Sequence, residues 1–177
     1  LTKYKLSKLS DCTTPRVMQV IKKLEQKKLV TKTKVIDFDK LIDHYIEIDK
    51  IKQQKQYYHI PNPAEIFKNE NKEYAFTTYF AENLINHYLF PNKFQVYIKK
   101  EDANKWKETL MKKGLIGKGN TIVILTEDNN IFKEATTIKG YKVVSTTQLL
   151  IDLKKEGGVC IEAYNMLLSK HVRQKRN

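Results

Sequence analysis

The chain has 177 residues, with 33 Lys or Arg against 20 Asp or Glu and a formal charge of +13. That length suits one ordinary domain or a small module joined to a medium one, and 41% hydrophobic residues suffice for a real core. No apolar run approaches the roughly 20 residues of a membrane helix, and such a charge favours polyanions such as nucleic acid.

Abundant Lys, Asn, Ile and Tyr also follow from an AT-rich genome, so the placement of the charge matters more than its total. Residues 1–35 hold ten basic residues (Lys3, Lys5, Lys8, Arg16, Lys22, Lys23, Lys27, Lys28, Lys32, Lys34) and two acidic ones, Asp11 and Glu25. Residues 36–49 reverse the sign, with Asp37, Asp39, Asp43, Glu47 and Asp49 against Lys40. The tail is basic again at Lys170, Arg173, Lys175 and Arg176.

Thr2 is placed to cap a short helix from Lys3 to Ser10, with Leu6 and Leu9 inward. Asp11-Cys12-Thr13 reads as a tight turn. Thr13 or Thr14 caps a second helix running to about Lys27, with Pro15 in the first turn, where its missing N–H does no harm. Val17, Val20, Ile21 and Leu24 form one apolar stripe. Leu29-Val30 begin a strand that alternates through Thr31, Lys32, Thr33, Lys34, Val35 and Ile36. Short helix, turn, longer helix and strand is the order of a helix-turn-helix followed by a wing. Burying the stripe frees the opposite face of the second helix for a major groove. Thr13, Thr14, Arg16, Gln19 and Lys23 lie on or near that face. Arg and Gln read base edges bidentately, whereas Thr and Lys mainly hold phosphates. Lys32 and Lys34 on the wing are placed to grip the flanking backbone.

Phe38 to Ile48 reads as a connecting helix with an acidic outer face, and 51–56 as a polar boundary. Two domains follow: 1–50, and a second over 57–177. In the second, Tyr57 to Ile60 is a short strand ended by Pro61 and Pro63. Tyr74 to Tyr88 is a helix, Phe94 to Ile98 a strand, and Glu101 to Lys113 an amphipathic helix stopped by Gly114. Thr121 to Leu125 and Tyr141 to Val144 are strands. Ser145 or Thr146 caps a helix through Leu153, and a last helix runs from Val159 to about Arg173. The alternation predicts an α/β or α+β fold for this domain.

The run KLSKLSDCTTPRVMQVIKKLEQKKLV resembles the winged-helix regulators of bacteria and archaea, with Leu24 and Leu29-Val30 in the places of their closing residues. The later order YAFTTYFAENLI, KFQVYIK, GNTIVILTEDNNIF, GYKVVSTTQLLIDLKKEG and IEAYNMLLSKHVR resembles the C-terminal domain of the AbiEi-type antitoxins of type IV toxin–antitoxin systems. Its most specific piece runs from Val144 to Leu153. That resemblance implies an N-terminal domain that binds operator DNA and a C-terminal domain that neutralises a nucleotidyltransferase-type toxin. This chain departs from the family at its short start and modest wing. The chain starts on Leu1 rather than Met, which leaves room for residues upstream.

Other chemistry has little support. No phosphate-binding glycine motif or nucleophile elbow is present. Glu65, Glu70 and Glu73 lie in a polar stretch that reads as solvated loop, and Glu127-Asp128 continues into Asn129-Asn130, a turn composition. His44, His59, His87 and His171 have no ligand spacing. Cys12 and Cys160 lack CxxC or CxxH spacing, so each reads as a small buried hydrophobe, and no metal or cofactor is expected. With no secretory pattern at the start, a reducing cytoplasm is the expected compartment. Gln148 and Asp152 stand one helical turn apart, either as the solvated side of a capped helix or as a polar contact surface for a partner.

The function these features predict is a non-enzymatic DNA-binding regulator of antitoxin type. It reads double-stranded promoter DNA, and paired half-sites suggest a homodimer. Two alternatives stay open: a protein-interaction module that holds an acidic partner such as a toxin without DNA, and a nucleic-acid-processing enzyme.

Overall fold

A computed structural model describes residues 1–68 and 70–174, which form two compact units divided between Lys50 and Ile51.

The first unit opens with α1 (Lys3–Leu9), where the Lys5 N–H donates to Thr2 Oγ1 over 3.1 Å. Asp11 takes up a left-handed φ of 51° and turns the chain into α2 (Thr14–Gln26). Val17 and Ile21 are each 8% exposed and form a core with Leu29 and Val30, against which Leu6, Leu24 and Leu41 pack. The predicted stripe is narrower than expected. Val20 is 42% exposed, because at about 100° per residue it lies roughly 60° from Val17, on the side away from Ile21. Leu9, also expected inward, is 60% exposed at the last position of α1.

Lys28, at φ 56°, ends α2, and the Leu29 N–H closes on the Leu24 carbonyl at 3.0 Å. The continuous strand expected through Ile36 is instead a hairpin. β1 (Val30–Thr31) and β2 (Lys34–Val35) pair antiparallel around Lys32-Thr33, with Lys32 at φ 56°. α3 (Phe38–Ile48) follows, capped by Asp37 Oδ1, which accepts from the Lys40 N–H at 3.1 Å.

The second unit is mixed α/β. Its seven-stranded sheet has the order β6-β3-β7-β5-β4-β9-β8. The strands are β3 (Gln54–His59), β4 (Tyr74–Thr77), β5 (Phe94–Lys99), β6 (Leu115–Ile116), β7 (Thr121–Thr126), β8 (Thr136–Ile138) and β9 (Tyr141–Val143). β5 runs parallel to β7 and β4 parallel to β9; the other pairs are antiparallel. The helices are α4 (Pro63–Lys68), α5 (Thr78–Asn86), α6 (Ala103–Met111), α7 (Asn130–Lys133), α8 (Thr146–Glu156) and α9 (Cys160–Gln174).

Side-chain alternation gives the sheet two faces. Tyr74 and Phe76 of β4 meet Phe67 of α4 and Trp106 of α6, with Phe67 stacked on Trp106 at 4.7 Å. Thr77 of β4 and its register neighbour Gln95 point the other way, to α8. The helix expected over Tyr74 to Tyr88 therefore begins four residues late. Tyr74 to Thr77 are wholly buried between β5 and β9, and ladder pairing there overrides the local helical periodicity. Similarly, β3 starts at Gln54, inside the stretch expected to be a linker, because its polar residues pair with the apolar β7.

Candidate nucleic-acid interface

α2 has a buried side and a free side. Arg16, Gln19 and Lys23 are all exposed, and their spacing keeps them within about 60° of arc on the helix. Among the described residues none of the three forms a salt bridge. Lys22 and Lys27, which the sequence reading left out, extend the same basic side: Lys22 follows Gln19 by three residues and Lys27 follows Lys23 by four, and both are exposed. A helical projection centred on the buried pair Val17 and Ile21, rather than on the wider stripe, finds them.

The two threonines have separate roles. Thr13 is the exposed cap residue of α2, and its side chain makes no capping bond. Thr14 is half-buried and its hydroxyl hydrogen-bonds Ser7 Oγ of α1 at 3.2 Å, so it ties the two helices together rather than facing outward. Pro15 sits in the first turn and removes one N–H from the helix end.

The hairpin is tied to α2, to the start of the chain and to the residue before β1. The Lys32 N–H donates to Glu25 Oε1 at 2.8 Å, Thr33 Oγ1 donates to the Leu1 carbonyl at 2.5 Å, and the Ile36 N–H donates to the Leu29 carbonyl at 2.9 Å. Lys32 sits at the tip and Lys34 on β2, both exposed. Glu25 thus accepts from a backbone N–H, and with ten basic residues against two acidic ones residues 1–35 keep a large excess of positive charge. This arrangement suits two jobs. Arg16 and Gln19 can address base edges, and the lysines of helix and hairpin can neutralise phosphates.

Gln148 and Asp152 do not make an outer surface. Asp152 is buried. Its Oδ2 accepts from Thr77 Oγ1 at 2.6 Å, and its Oδ1 accepts from Tyr97 Oη at 3.0 Å and Gln148 Nε2 at 2.9 Å. Burial pushes its carboxyl up to about 6, against the pull of these three donors and Lys155. Burial beside that carboxyl also raises the Tyr97 phenol well above its ordinary range. The group fastens α8 to the sheet, and Gln148 spends its amide there.

The other acidic residues singled out in the sequence each have a neighbouring partner. Exposed Glu127 pairs with Lys100 at 2.7 Å, which holds its carboxyl below the ordinary value. Asp128 accepts from the Asn130 N–H at 2.9 Å at the start of α7. Glu70 pairs with Lys72 and Glu73 with Lys99. Glu65 accepts from Tyr141 Oη at 3.3 Å. Among the described residues no cluster of His, Cys, Asp or Glu is placed to hold a metal ion, and no helix is long and apolar enough to cross a membrane. Cys160 is buried as expected, whereas Cys12 is exposed in the turn between α1 and α2. In the basic tail, Lys170 donates to Asn86 Oδ1 at 2.6 Å and Arg173 is exposed, while Lys175 and Arg176 lie outside the described residues. No protein-family model matches the chain, and neither a curated protein nor a solved structure matches it.

Proposed function

We propose that the chain is a DNA-binding transcriptional regulator of antitoxin type whose first unit is a winged helix-turn-helix. The observation that carries this reading is the exposed row Arg16, Gln19 and Lys23 on α2, opposite the buried Val17 and Ile21. Three features support it. The order helix, turn, helix, hairpin is that of winged helix-turn-helix proteins. Residues 1–35 hold ten basic residues against two acidic ones. The hairpin carrying Lys32 is fastened to the last turn of α2 through Glu25.

The test uses the full chain and duplex DNA from upstream of its own reading frame, with a scrambled duplex as competitor. Arg16→Ala with Gln19→Ala lowers the preference for the specific duplex by tenfold or more, since each bidentate base contact is worth about 1–3 kcal/mol. Lys32→Ala with Lys34→Ala weakens both duplexes alike and lowers the salt slope by about two. Unchanged preference in the first variant removes the reading role of α2. Capture of one acidic protein with no retention of duplex at low salt replaces DNA binding with protein interaction as the function.

A further inference from the structure

A second basic site lies wholly within the second unit. A cavity of about 820 Å³ opens beside β3 and the 117–119 loop, a volume in the range of small-molecule sites. Four lysines line it, Lys55, Lys93, Lys107 and Lys118, and no acidic residue does. Lys93 is compensated by Glu156 at 3.6 Å. Lys55, Lys107 and Lys118 are exposed and, among the described residues, form no salt bridge. Three uncompensated cations converging on one concavity raise the local potential and suit a multiply charged anion.

The cavity also offers apolar surface that a bare anion would not need. Tyr57 and Ile122 are register partners on β3 and β7, so they stand side by side on one face of the sheet. Tyr57 is 44% exposed, and Ile116 of the neighbouring β6, 56% exposed, also lines the cavity. A ring beside cations suits a planar base joined to phosphate. The wall is held by backbone. The Gly117 N–H donates to the Tyr57 carbonyl at 3.0 Å. A Cβ on Gly119 would stand 2.3 Å from the Tyr58 carbonyl oxygen, so only glycine lets the loop lie this close to β3.

We propose that this cavity binds a phosphorylated nucleoside, with phosphate oxygens on Lys55, Lys107 and Lys118 and the base against Tyr57. The ligand is either a free nucleotide or a unit within a single strand. The site is separate from the α2 surface and does not depend on its role.

The experiment measures fluorescence anisotropy of a labelled oligothymidylate of about six nucleotides with the full chain. Unlabelled AMP, ATP, inorganic phosphate and oligoglutamate serve as competitors, and Trp106 emission checks that each variant is folded. The structure predicts that Lys107→Ala with Lys118→Ala weakens the probe about tenfold or more, and that Tyr57→Leu weakens it about fivefold or more, as loss of one stacked base does. Tyr57→Phe keeps affinity, and Arg16→Ala with Gln19→Ala leaves it unchanged. Displacement by AMP or ATP identifies free nucleotide as the ligand; displacement by unlabelled oligothymidylate alone identifies a strand. The proposal is overturned if the probe does not bind, or if inorganic phosphate or oligoglutamate competes as well as the nucleotides. Binding that follows the α2 variants and ignores the cavity variants overturns it equally.

Discussion

Asp152→Asn should abolish a pH dependence of stability whose sign is opposite to that of most carboxylates. Asp152 accepts from Thr77, Tyr97 and Gln148 in a buried site, and burial lifts its carboxyl to about 6 from an ordinary 3.8. The folded-state value lies above the unfolded one, so the folded protein binds the proton more tightly. Stability from this group therefore grows as pH falls through 6 towards 4, and is absent at neutral pH. The full gap corresponds to about 3 kcal/mol, and roughly half of it is gained by pH 5. Asp37 and Glu127, whose carboxyls are held below their ordinary values, act in the opposite sense but only at lower pH. The amide introduced by the substitution keeps one acceptor oxygen, and the Thr77 hydroxyl can rotate to accept from its nitrogen.

The chain has one tryptophan, Trp106, fully buried in the second unit, so its emission follows that unit alone in urea. Between about pH 7.5 and pH 5 the native protein should gain about 0.5–1 M in urea midpoint relative to Asp152→Asn, given ordinary denaturant slopes. Parallel midpoints for the two proteins across that range would refute the reasoning.

Four further substitutions test the packing. In the first unit Ile21→Ala should lower stability by about 2–4 kcal/mol in far-UV circular dichroism melts, whereas Val20→Ala, at a position 42% exposed, should change it by less than about 0.5 kcal/mol; equal losses would return Val20 to the core. Lys32→Gly should stabilise the hairpin by up to about 1 kcal/mol, because Lys32 sits at φ 56° while its N–H holds Glu25. A loss of stability there would show that the lysine side chain itself matters to the fold. Gly119→Ala drives a methyl into the β3 backbone at 2.3 Å and should cost about 1–3 kcal/mol, visible as a lower melting temperature by Trp106 emission. An unchanged melting temperature would mean that the loop yields without disturbing β3.

Much of this architecture is legible from local rules. Thr2 and Ser145 cap their helices as their positions suggest, and Phe38–Ile48 forms as read because its apolar spacing leaves little alternative. The exposed row Arg16, Gln19 and Lys23 follows from helical geometry once Val17 and Ile21 are known to be inside. Local rules misplace residues where a partner decides. Thr14 is drawn inward by Ser7, and Tyr74 to Thr77 become strand because two neighbours complete their ladder. The short β6 and β8 have too few residues to carry a period and exist only through pairing.

By itself the sequence determined the order of the main helices and strands and the concentration of positive charge in the first thirty-five residues, because these depend on residue type and on neighbours within a turn or two. Only the tertiary structure decided that Asp152 is an internal anchor rather than a contact residue, and that lysines from 55 to 118 converge on one cavity. Desolvation and convergence of charge depend on residues far apart in the chain, and folding alone brings those together.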